Sequence, residues 1–124
     1  VRIPVLGDVA AGVPILAQQD IVGYEDIPAD MAKTGEYFGL KIKGDSMEPK
    51  IHDNDIVIVK SMSDAENNDI VIAMINNEAV CKRLVKYTNS LVLRSLNSNY
   101  DDIELHPDDD IHILGVVIES RSKF

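Results

Sequence analysis

Short apolar runs with strand-like patterning recur from residue 36 onward. The alternation and the β-branched runs predict strands over 37–43, 55–60, 69–75, 78–85, 90–96 and 112–119. Asn76-Asn77 separates two of these runs by two residues, which predicts a tight hairpin. Helical signals are weak, with single turns expected at 64–66 and at 46–50, the second bent by Pro49. The pattern predicts a mainly β domain with antiparallel pairing.

Residues 1–35 have a different pattern, because glycines and prolines interrupt the apolar stretches. We expect this segment to be an arm with local strands, followed by a core over 36–124. A chain of 124 residues with 45% hydrophobic residues has the size and composition of one globular domain. Since it begins at Val1 rather than at methionine, we expect it to be a piece of a longer protein.

Charge and cysteine content exclude several classes of function. A net charge of −9 repels phosphate backbones, so this domain is not expected to bind nucleic acid itself. No apolar run is long enough to span a bilayer, and no membrane contact is expected; the prediction is a cytoplasmic protein. Cys81 is the only cysteine and is expected to fill apolar space, and the three histidines lack ligand-like spacing. We therefore expect no metal and no cofactor.

Ser46 and Lys82 are the candidates for chemistry. A serine hydroxyl becomes a nucleophile when a nearby base takes its proton, and a lysine amine is such a base only when it is neutral. Burial favours the neutral amine, so a catalytic Lys82 must be desolvated. Strand alternation puts Val80, Lys82 and Leu84 on one face, but the opposite face is also partly apolar. The alternative is a lysine at a strand edge whose head group extends to water.

Ser46 also has two interpretations. It follows Gly44 and Asp45, and either Asp45 or Ser46 suits the cap of a short helical turn supported by Glu48. The same turn exposes backbone amides, and those of Asp45 and Ser46 can hold the oxyanion of a tetrahedral intermediate. Spacing alone leaves both interpretations open.

Four blocks in order carry a family resemblance over nearly the whole chain. They are GDSMEP at 44–49, DNDIVIV at 53–59, NDIVIA at 68–73 and VCKRL at 80–84. Together they resemble the self-cleaving C-terminal domain of LexA-like and phage CI-like repressors, and also the UmuD proteins. Gln18, Gln19 and Asp20 follow the arm as they do in the LexA-like members, which favours a repressor.

The resemblance implies a site and a fold. Ser46 matches the nucleophile of the family and Lys82 its base, and the scissile bond matches Ala11-Gly12. Without the resemblance, a flexible linker is the simpler interpretation of the residues around that bond. The fold implied is a compact antiparallel β domain of short bent sheets, with an extended N-terminal arm carrying the cleavage site. The last strand, around 113–118, resembles an edge through which these domains dimerise.

The function implied is the C-terminal domain of a repressor, an intramolecular serine endopeptidase that inactivates repression by cutting itself. The expected partners are a second copy in a homodimer and a RecA–single-stranded DNA filament. DNA would be bound only through an N-terminal helix-turn-helix domain that is absent from this sequence. The alternatives are a UmuD-like DNA polymerase accessory protein and a non-enzymatic dimerisation module whose Ser-Lys pair is idle.

Overall fold

The computed structural model of the chain describes residues 1–123, most of which lie in strands and in the turns between them. The strands are β1 Arg2–Leu6, β2 Ile21–Asp26, β3 Tyr37–Lys41, β4 Ile56–Ser61, β5 Ile70–Ile75, β6 Glu78–Lys86, β7 Leu91–Arg94, β8 Ile103–Leu105 and β9 Ile111–Arg121. A 3-10 helix spans Ile15–Ala17, and the one-turn helix α1 spans Ala29–Ala32. The predicted mainly β fold is confirmed.

The strands form one sheet in the order β2-β1-β3-β4-β9-β5-β6-β7-β8. Every pair of neighbours in residues 1–123 is antiparallel except β1 and β3, which run parallel. Residues 1–35 supply β1 and β2, and so they belong to the same sheet as the rest of the chain. The prediction did not include β8, a three-residue strand between loops.

The Asn76-Asn77 hairpin prediction is confirmed. Both asparagines have positive φ, 48° and 69°, which is the backbone geometry of a two-residue turn that matches strand twist. The turn pairs Ile75 with Glu78 and thereby fixes the register of β6 on β5. Because register decides which face each side chain occupies, this turn also determines where Lys82 points.

The last strand corrects the expectation of an edge at 113–118. Strand β9 lies inside the sheet, pairing with β5 from Ile111 to Val116 and with β4 from Gly115 to Arg121. The crossing is tight at Gly115, where a Cβ atom would lie 2.4 Å from the carbonyl oxygen of Lys60. Only glycine fits there without moving the backbone of β4.

A second correction concerns residues 64–66, which form no helical turn. The Asp69 carboxylate instead accepts a hydrogen bond from the Glu66 amide at 2.9 Å, closing a turn just before β5. A short polar side chain competes well with helix formation in this way. No helix within residues 1–123 has the length and apolar character needed to cross a membrane.

Candidate active site

A cleft of about 500 Å³ lies between the turn after β3 and the hairpin of β5 and β6. One wall contains Ser46 and Met47, and the opposite wall contains residues 77–81. Gly7, Asp8 and Val9, which follow β1, line the same cleft, as does Tyr100. Four segments distant in sequence therefore meet at one opening.

Ser46 lies in a turn that we call the serine turn, residues 44–50. Gly44 has φ +89°, a left-handed conformation that glycine adopts without strain, and its amide donates to the Asp53 carboxylate at 2.7 Å. Met47, 1% exposed, packs in the core, and its carbonyl accepts the Ile51 amide at 2.9 Å. The chain turns at 46–50 as predicted, but through consecutive hydrogen-bonded turns and not through a helix. The buried Met47 holds the neighbouring serine at the cleft wall.

The capping interpretation does not describe the Ser46 hydroxyl. The Glu48 amide bonds the backbone carbonyl of Asp45, at 3.2 Å, rather than a side chain. Within the described residues 1–123, the Ser46 hydroxyl and the amides of Asp45 and Ser46 make no hydrogen bond to another protein group. One hydroxyl and two amide donors are thus free at the cleft.

Lys82 is buried, with 8% of its surface exposed. Its Nζ donates a hydrogen bond of 2.8 Å to the Ser95 hydroxyl and lies 5.6 Å from the centre of the Tyr100 ring. Burial lowers the pKa of Lys82 below its ordinary value, because the charged ammonium is poorly solvated there. The alternative of a head group extended to water is wrong, since the whole side chain is buried and its Nζ is bonded to Ser95.

Sequence reasoning missed the segment that links the two walls of the cleft, residues 95–100 after β7. Besides Ser95, it contains Asn97, whose amide donates to the Ser46 carbonyl at 3.0 Å and whose Nδ2 donates to the Asp45 carbonyl at 3.1 Å. The Tyr100 hydroxyl bonds the Asp45 carboxylate. Small polar residues in a loop gave no signal of these long-range contacts.

Ser46 thus lines the cleft and Lys82 follows its lining residue Cys81 on β6, but the two side chains are not hydrogen bonded to each other among residues 1–123. Each is held through the 95–100 segment, Lys82 by a side chain and Ser46 by its backbone. The cleft thus has a free hydroxyl and two free amides in its lining, with a buried amine on the adjoining strand, and these are the kinds of group used in acyl transfer.

Ala11 and Gly12 are exposed and lie outside the lining of the cleft, in a loop that we call the Ala-Gly loop, residues 8–19. The base of the loop is closed by a hydrogen bond of 3.0 Å from the Gly7 amide to the Asp20 carbonyl. Gln18, 6% exposed, bonds Ala10 twice and Val13 once, at 2.8 to 2.9 Å. The loop is therefore folded on itself rather than extended.

Cys81, beside Lys82 on β6, has the role expected of it. Its side chain packs against the core, and burial raises the pKa of the thiol to about 12. A thiol in that state is not a nucleophile near neutral pH.

Comparison with known proteins gives one family and a consistent set of relatives. The family described as Peptidase S24-like matches residues 4–118. Similar proteins are the LexA repressors of Syntrophomonas wolfei, 46% identical over 84% of this chain, of Magnetococcus marinus, 42% over 98%, and of Pelagibacter ubique, 40% over 99%. The match covers 52%, 52% and 55% of those proteins. The chain thus spans about half the length of these relatives.

Proposed function

Because the chain belongs to the Peptidase S24-like family, we propose that it is a serine endopeptidase that cuts its own Ala11-Gly12 bond with Ser46 and Lys82. The observation that carries this proposal is the burial of Lys82 beside a cleft lined by Ser46. A desolvated lysine on the strand that lines the cleft of an unpartnered serine is unusual, because burial of the charged ammonium is costly, and it suits a base that must be neutral to act.

The proposed reaction has two halves. Neutral Lys82 takes the proton of Ser46 as Oγ attacks the Ala11 carbonyl carbon, and the resulting oxyanion is held by the amides of Asp45 and Ser46. The C–N bond then breaks, and the Lys82 ammonium returns the proton to the Gly12 nitrogen, which leaves as an amine. Water next attacks the Ala11–Ser46 ester, with Lys82 again as the base, and releases the Ala11 carboxylate and free Ser46.

The loop must move for this reaction, and its attachment favours a short path. Val9 already lines the cleft, and the three residues from Val9 to Gly12 reach at most about 10 Å when extended. The Lys43 ammonium bonds Asp8 at 2.6 Å, which holds the start of the loop near the serine turn. A tethered bond of this kind reacts as a positioned, unimolecular substrate.

Strand β6 supplies a surface on which the loop can dock. Its residues 79–82 pair with β5 on one side, whereas pairing with β7 starts only at Arg83. Backbone groups on the other side of Ala79 and Cys81 are therefore available for strand addition in the cleft. An extended loop laid along them would bring a small residue, alanine, next to Ser46.

The biological function we propose is that of a repressor's regulatory domain in the cytoplasm. Two copies would dimerise and hold two N-terminal helix-turn-helix domains on DNA, and cleavage would end that avidity and repression with it. A RecA–single-stranded DNA filament would favour the docked loop. The similarity to LexA repressors over about half of their length supports this assignment.

Incubation of the purified chain at pH 7 to 10 tests the proposal, with intact mass measured over time. We expect two fragments separated between Ala11 and Gly12, with a rate that rises with pH as Lys82 loses its proton. The rate should be first order and independent of protein concentration. A rate proportional to concentration would mean that one chain cuts another.

Ser46→Ala should abolish the cut, and Ser63→Ala, at an exposed serine outside the cleft, should cut as fast as the wild type. An intact mass at every pH would reject self-cleavage and favour the idle dimerisation module. Cleavage alone does not separate a repressor from a UmuD-like accessory protein; the full-length gene does, since only the repressor encodes a helix-turn-helix domain.

A further inference from the structure

We propose that Ser95 is a positioning residue that holds the Lys82 amine for proton transfer with Ser46. This inference rests on the proposed self-cleavage but adds a third side chain to it. Its basis is the single hydrogen bond that the Lys82 head group makes within residues 1–123, 2.8 Å to the Ser95 hydroxyl.

Because both side chains are buried, water cannot easily replace the bond between Lys82 and Ser95. Ser95 is 7% exposed and Lys82 is 8% exposed, so water reaches neither side chain freely. A buried ammonium without an acceptor is costly, and every buried side-chain nitrogen and oxygen among the described residues has a partner. Replacing the Ser95 hydroxyl would remove the acceptor that holds the direction of the amine and that stabilises the ammonium when it forms.

The position of Ser95 in the chain connects the base to the nucleophile. Two residues later, Asn97 donates to the carbonyls of Ser46 and Asp45. One short segment therefore holds Lys82 at Ser95 and the serine turn at Asn97. The distance between the amine and the Ser46 hydroxyl depends on that segment, and a base works only within hydrogen-bond reach of the proton it takes.

Ser95 can serve both protonation states of Lys82. The hydroxyl oxygen accepts an N–H of the neutral amine and leaves the nitrogen lone pair for the Ser46 proton. After the transfer it accepts from the ammonium, in a stronger, charge-assisted bond. The titratable groups near the amine are the Cys81 thiol on the same strand and the Tyr100 phenol, which is bonded to Asp45.

The test is the pH dependence of self-cleavage in Ser95→Ala, Ser95→Thr and the matched control Ser98→Ala, an exposed serine on the same segment. In Ser95→Ala we expect the rate plateau to fall about tenfold or more, since a bond to a charged group is lost. The midpoint should also move to lower pH, because the ammonium loses its acceptor. Ser95→Thr keeps a hydroxyl and should restore the midpoint, and Ser98→Ala should match the wild type.

A lower plateau with an unmoved midpoint would overturn the proposal, because it would indicate only a looser fold, and so would a wild-type profile. Titration of the Lys82 side-chain carbon signals by NMR in a Ser46→Ala background provides a readout that does not need cleavage. There Ser95→Ala should lower the pKa of Lys82 and Ser98→Ala should not. If the wild type does not cut at all, the proposed function fails, while this titration still decides whether Ser95 governs Lys82.

Discussion

The Lys82 site and the Ala-Gly loop are stabilised in opposite ways. Lys82 is buried among core strands and bonded to Ser95, and its pKa is already lowered in the resting fold. Ala11 and Gly12 are exposed, outside the cleft, in a loop closed on itself by the Gln18 side chain. In the proposed reaction, the base is ready before the substrate arrives.

This difference indicates where regulation can act. A buried, hydrogen-bonded lysine is costly to rearrange, whereas an exposed loop held by a few hydrogen bonds can exchange between states that differ by a few kcal/mol. The rate of the proposed cut is then the intrinsic rate multiplied by the fraction of docked loop. A partner that binds the docked state would raise the rate without touching Lys82.

The largest effect is expected from Lys82→Met, which removes the ready base and keeps an unbranched apolar side chain. Self-cleavage should fall by about three orders of magnitude or become undetectable.

The same substitution should also change how the stability of the fold depends on pH. Because the pKa of Lys82 is lowered in the folded state, the unfolded chain binds more protons, and wild-type stability rises with pH up to the ordinary pKa of 10.5. The variant should lack this rise.

Melting temperatures at pH 7, 8.5 and 10 measure this pH dependence of stability. Lys86→Met is the control, because Lys86 is exposed on the same strand. The difference in melting temperature between Lys82→Met and the wild type should shift in favour of the wild type as pH rises. Lys86→Met should show no such shift. If melting temperature depended on pH in the same way in all three chains, burial would not destabilise the Lys82 ammonium. The proposed difference between the Lys82 site and the Ala-Gly loop would then be wrong.

The strand pattern could be predicted from the sequence because its signals are local. Strands such as β4 are continuous β-branched runs, and the hairpin at Asn76-Asn77 needs only residues that accept positive φ. The position of β9 inside the sheet could not be predicted in this way. It depends on pairing with β4 and β5 and on the close crossing at Gly115, which are long-range contacts.

The candidate site likewise combines residues that a sequence pattern reveals with residues that only long-range contacts reveal. Ser46, Lys82 and the Ala11-Gly12 bond stand out through a resemblance carried by ordered blocks, and they remain predictions until cleavage is measured. Ser95 and Asn97 had no pattern to reveal them, because their partners are 13 and 51 residues away. Hydrogen bonds between segments distant in sequence become visible only when the sheet has brought the segments together.

A smaller effect is expected from Gln18→Ala, which acts on the loop alone. Removing the three bonds of Gln18 to Ala10 and Val13 destabilises the resting loop, and we expect self-cleavage to rise about three- to tenfold. The pH midpoint should stay where it is, because Lys82 is unchanged. Rates by mass spectrometry and limited digestion of the loop with an external protease would measure both effects.

Gln19→Ala is the matched control for the loop, since Gln19 is exposed and its side chain makes no hydrogen bond within residues 1–123. It should match the wild type in both assays. A slower cut in Gln18→Ala would mean that Gln18 stabilises the docked loop instead. The loop, like Lys82, would then already favour its reactive state in the resting fold.

The smallest effect is expected at Tyr100, whose ring lies 5.6 Å from the Lys82 Nζ and favours the ammonium. In Tyr100→Leu the ring is lost, so the midpoint of the pH–rate profile should move down by about 0.3 to 0.7 pH unit. Tyr100→Phe keeps the ring and removes only the hydroxyl bonded to Asp45, a bond that raises the pKa of the phenol. Its midpoint should equal that of the wild type. An equal shift in both variants would mean that the effect comes from the hydroxyl contact with Asp45, and hence from the serine turn, and not from the ring. The pKa of Lys82 would then depend on burial and Ser95 alone.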